Sequence, residues 1–205
     1  MSMDLAKRMP RRMQILVLFL AVISAGYFLW ELSFATDSHV PGEFLEANKE
    51  GALVANVIVS LSRQSAGSIG KIGELDKEGK NYEAAQLVAE ELKKSEELRQ
   101  KAYELALLLG KMTEVLPEIS PRAATEAAMR AINFETSLII RLINYQKFLN
   151  ELLTVLNNRL AGGVVKPEVI EQVVEKINNE AAAVNDLNEQ YKAAVEEFEK
   201  IVRQS

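Results

Sequence analysis

Residues 13–30 carry no charged side chain, and this run constrains the chain more than any other feature. Read as a helix, about 18 residues span roughly 27 Å, close to the hydrocarbon thickness of a bilayer. Lys7, Arg8, Arg11 and Arg12 precede the run and Glu31 closes it. The positive-inside rule keeps such a basic flank in the cytoplasm. Tyr27 and Trp30 fall where an interfacial aromatic belt would lie. The expectation is a cytoplasmic tail over 1–12 and a transmembrane signal-anchor over 13–32. A linker over 33–41 follows, then an extracytoplasmic domain over 42–205 at the plasma membrane. The alternative is a secreted protein cut after Ala35, since Ser33-Phe34-Ala35 is a small-x-small site. The apolar run exceeds the 7–15 residues usual in a cleaved signal, which favours the anchor.

Charge separates the two parts. The first twelve residues hold four of the 24 basic residues and one of the 29 acidic ones. The remainder has 20 against 28, a net charge of −8. Nucleic acid is therefore not an expected partner, because phosphate binding needs clustered Lys and Arg. The chain has no cysteine, which excludes disulfides, zinc–thiolate sites, iron–sulfur clusters and a thiol nucleophile.

Beyond the linker the pattern is helical throughout. Apolar and small residues recur in steps of three and four, and prolines and glycines cut the pattern into four. The expected helices cover about 42–75, 81–116, 121–160 and 167–202. The first carries Val54, Ile58, Leu61, Ser65, Ser68, Ile72 and Leu75. Its second half is rich in Ser and Gly, which suits close helix packing, a loosened end, or a hinge. Asn81 is the expected N-cap of the second helix, with a stripe through Ala85, Val88, Leu92, Ser95 and Leu98. Ser120-Pro121 reads as an N-cap and first helical residue for the third. There Glu135 falls on the stripe, and a tilt to the rim is the expected accommodation. The fourth follows the 161–166 break, with Val184, Leu187, Tyr191 and Val195 on its stripe. The fold class is all-α: a transmembrane helix, then an elongated antiparallel (up-down) four-helix bundle with coiled-coil-like packing. Counting directions places the 76–80 and 161–166 loops together at the end farthest from the bilayer.

The residues of known chemistries are missing. The lone His39 sits in the linker, so a Glu-x-x-His di-iron site cannot form. No Gly-x-Ser-x-Gly elbow and no phosphate loop ending in Lys-Ser/Thr occurs. Glu pairs such as Glu90-Glu91 read as solvated surface. The segment 79–85 resembles the opening of a tetratricopeptide helix, but no 34-residue period follows. No enzyme activity, cofactor or metal is expected. Two candidate sites stand out. Val164 and Val165, beside glycines in the distal loop, are either a partner-binding tip or a cap on the bundle end. Arg130, Asn133, Arg141 and Asn144, with Gln146, either line an inter-helix ligand pocket or form the wet face of the third helix. The expected role is a non-catalytic interaction or scaffold module of the cell envelope. Its partners would be the bilayer and another protein or a second copy. The alternative is an extracytoplasmic ligand-sensing bundle working through a separate signalling partner.

Overall fold

The computed structural model describes residues 38–204. The expected membrane segment, with Arg11, Arg12, Tyr27 and Trp30, and the cleavage point at Ala35 lie outside the described residues. Among the described residues no helix is long and apolar enough to cross a membrane.

Four long helices account for nearly all of these residues: α1 Gly42–Lys77, α2 Asn81–Glu114, α3 Arg122–Leu160 and α4 Pro167–Gln204. A single 3₁₀ turn, Leu116–Glu118, joins α2 to α3. The fold is an all-helical bundle. α1 packs on α2, α2 on α3, and α3 on α4.

The helix ends follow from local chemistry. α1 and α3 stop in the same motif. Gly79 and Gly162 adopt φ of +73° and +87°, a conformation that L side chains resist. Each allows two backbone bonds that fold back on the last turn. These are Gly79 N–H to Asp76 O (3.2 Å) with Lys80 N–H to Leu75 O (2.9 Å), and Gly162 N–H to Arg159 O with Gly163 N–H to Asn158 O (both 3.0 Å). The two ends meet: Arg159 pairs with Asp76 at 3.0 Å. This end is called the tip below.

The opposite end, the base, gathers three other parts of the chain. His39 and Ser120 exchange backbone hydrogen bonds of 3.2 and 2.9 Å. Ser38 Oγ donates to the Val202 carbonyl at 3.0 Å. The Phe44 and Phe198 rings lie 6.0 Å apart, tilted by 37°. Ser120 is therefore used by the linker rather than as a helix cap. Pro121 takes the N-cap position, and no side chain caps α3. Asn81 likewise is the first helical residue of α2, and Lys80 precedes it as N-cap without a side-chain bond.

Three apolar clusters fill the interior. The basal one joins Phe44, Val54 and Ile58 of α1 to Leu105, Met112, Ile132 and Phe198. The distal one joins Ile72, Val88, Leu149, Leu153, Val173 and Ile177. A smaller cluster between α3 and α4 holds Ala131, Leu138, Val184, Tyr191 and Ala194. The Ser/Gly-rich half of α1 remains helical to Lys77, with Ser62 and Ser65 buried.

Candidate functional site

The tip is built by the two glycine stops. Gly163 has no room for a side chain, because an added Cβ would strike Asn158 and come 2.8 Å from its carbonyl oxygen. That close turn sends the two valines in different directions. Val165 packs against the distal cluster. Val164 is 97% exposed. Val165 helps to close the bundle end, whereas Val164 is the most exposed apolar side chain at the tip, with Tyr82 and Val169 also exposed at this end.

Arg130, Asn133, Arg141 and Asn144 sit along α3. The first three are exposed and Asn144 is half-buried. Arg130 pairs with Glu197 at 2.6 Å and Arg141 with Glu180 at 3.4 Å, both on α4. These bonds clamp α3 to α4 from outside. None of the four lines either of the cavities described next.

Two half-open cavities reach into the bundle, each of about 20 Å³, room for one water molecule. One is lined by Phe44, Asn48, Met112, Tyr191 and Phe198 among others. The second is lined by Ala55, Ile58, Leu105, Leu142 and Tyr191 among others. Glu135 lines both. It does not tilt to the rim: it is only 6% exposed. The stripe places it too near the axis for three side-chain carbons to reach water. Burial pushes its carboxyl up to about 7.

A second buried carboxylate corrects the reading of Glu91 as solvated surface. Glu91 is 1% exposed, on the face of α2 that meets α1. Lys94 Nζ donates to its Oε1 at 2.7 Å. Burial raises its pKa, but the bond from Lys94 and the Ser65 and Ser68 hydroxyls outweigh that, and the net shift is downward. The small serines of α1 thus make room for a carboxylate, and the Ser65 and Ser68 hydroxyls help to hold its pKa down, while its Oε2 is buried without a hydrogen-bond partner. Nearby, Ser95 Oγ donates to Gln146 Oε1 at 2.9 Å, a buried bond between α2 and α3.

Glu91 and Asn188 are the residues that stripe reading missed. The buried stripe of α2 is Ala84, Val88, Glu91, Ser95, Leu98, Ala102, Leu105, Leu109 and Met112, with Leu108 buried beside it. It alternates four and three without a break. Following Ala85 and Leu92 instead requires two successive steps of three, and that irregularity was the available signal. On α4 the expected Leu187 is only half-buried, whereas Asn188 is fully buried and neither polar atom of its side chain has a partner. No group of metal-ligating side chains occurs among the described residues.

No known protein family matches this chain, and comparison with curated proteins and with solved structures finds none that is similar.

Proposed function

We propose that this chain is a single-pass, membrane-anchored bundle protein of the cell envelope, acting as a non-catalytic interaction or scaffold module. In this reading residues 13–32 form the transmembrane anchor. The four helices stand beyond it as an elongated antiparallel rod with coiled-coil-like packing. The alternating steps of four and three along α2 support that packing mode. A helix of 36 residues such as α1 is about 54 Å long, so the tip would be carried well clear of the lipid.

One observation carries the reading. The linker is held at the base, beside Ser120 and Val202, while the exposed Val164 belongs to the opposite end. An anchor preceding residue 38 would therefore put the free apolar side chain at the point farthest from the membrane. Affinity capture of the full chain from detergent extracts tests this. Val164→Asp is expected to lose tip-dependent partners while keeping the wild-type unfolding midpoint, because a side chain so exposed has little packing to lose. An unchanged set of partners would count against the tip as the interaction surface.

A further inference from the structure

Glu135 sits where the two halves of the bundle meet. The cavities it lines take their walls from all four helices: α1 supplies Asn48 and Ile58, α2 supplies Met112 and Leu105, and α4 supplies Tyr191. No hydrogen bond or ion pair reaches the Glu135 carboxyl among the described residues. The cavity walls contributed by α1 and α2 hold no ionisable group, and the wall from α4 holds only Tyr191. On α3 itself the nearest cations, Arg130 and Arg141, are committed at the surface to Glu197 and Glu180. Among the described residues, a negative charge at Glu135 would thus have no cation facing it.

We propose that Glu135 and its two cavities form a proton-controlled latch between the α1–α2 pair and the α3–α4 pair, closed when the carboxyl is neutral and loosened when it ionises. The neutral acid fits the site: it carries one donor, and the adjoining cavity has Asn48 in its lining and room for one water. The carboxylate does not fit, since an unpaired buried charge must be hydrated or expelled. Each cavity has room for about one water, and the fuller hydration that a carboxylate needs would widen the cavities and part the halves. The inference is independent of any role for the tip and of the membrane anchor.

The direction of the pH effect follows from linkage. In the unfolded chain the carboxyl ionises near 4.5, and in the bundle near 7. Below the first value both states are protonated and the contribution is fully present. As pH rises from 4.5 to about 7 the unfolded state gains by ionising, and the unfolding constant grows about tenfold per pH unit. Above about 7 the folded state ionises too, and the latch loosens.

The test uses the full chain in mild detergent, which serves whether or not residues 13–32 insert in a membrane. Denaturant unfolding from about pH 5 to about pH 8 is compared between wild type and Glu135→Gln, a neutral side chain of the same shape. The wild-type unfolding constant is expected to rise relative to the variant by about two powers of ten across that window. In parallel, spin labels at the exposed Asn56→Cys and Ala193→Cys report the separation of α1 and α4. Their distance distribution is expected to broaden above pH 7 in the otherwise wild-type chain. The label arm needs no change at Glu135, so it stands even if Glu135→Gln does not fold. Parallel pH profiles for wild type and variant, or a distance distribution indifferent to pH, overturn the latch.

Discussion

Glu91 and Glu135 show how two buried carboxyls in one bundle acquire opposite character. Each lies on a core stripe, and burial opposes the charge of each. Glu91 has a lysine one turn away and two hydroxyls on the facing helix, so its charge is retained. Glu135 has no charged partner among the described residues, and burial pushes it towards the neutral acid. Their effects on stability therefore run in opposite directions with pH. The lowered pKa of Glu91 gives stability that is present above the usual carboxylate range and lost as pH falls through its folded value. Glu91→Gln should destabilise the bundle by about 1–2 kcal/mol at neutral pH, the scale of a lost charge-assisted hydrogen bond. The gap should close in acid, and denaturant midpoints for both chains at neutral and acid pH check it. A gap that persists or widens in acid would mean that shape rather than charge is what Glu91 supplies. Little of this could be read from sequence. A glutamate next to another glutamate on a helix looks solvated, and only the unbroken alternation of steps reveals that Glu91 points inward. Asn188 was hidden for the same reason, with Leu187 beside it as the more apolar choice.

The helices themselves were far more legible, because their limits rest on backbone chemistry rather than on neighbours. Prolines that cannot continue a helix and glycines that accept positive φ mark the breaks regardless of what packs where. The caps were less legible. Ser120 has the right side chain for an N-cap, but its backbone and hydroxyl are engaged by His39 from a distant part of the chain. The Ser/Gly-rich half of α1 was ambiguous for another reason: low helix propensity does not say whether packing will override it. Packing does override it, and this yields a contrast between two glycines. Gly67 lies in the exposed interior of α1, and an added Cβ there meets nothing within 4 Å. Gly67→Ala should raise stability by about 0.5–1 kcal/mol, the propensity difference between the two residues. Gly163→Ala should lower it by about 1–3 kcal/mol, because the methyl group has no space beside Asn158. Thermal or denaturant midpoints of the two variants decide the matter. A destabilising Gly67→Ala would show that α1 needs to bend there.

At the scale of the molecule, the connections decide what lies near what. The 76–80 and 161–166 loops come together through Asp76 and Arg159, and the linker, Ser120 and Val202 come together at the other end. With the first described residues at the base, the proposed anchor would turn this two-ended bundle into a display device: lipid at one end and Val164 at the other. That orientation is the central claim, and the absence of cysteine makes it directly measurable. A full-length chain carrying the single change Val164→Cys is treated in intact cells with a membrane-impermeant maleimide, and the membranes are then washed with alkaline carbonate. The expected result is a chain that is labelled before lysis and stays with the washed membranes. A chain that is labelled only after lysis, or that leaves with the carbonate wash, would contradict the proposal.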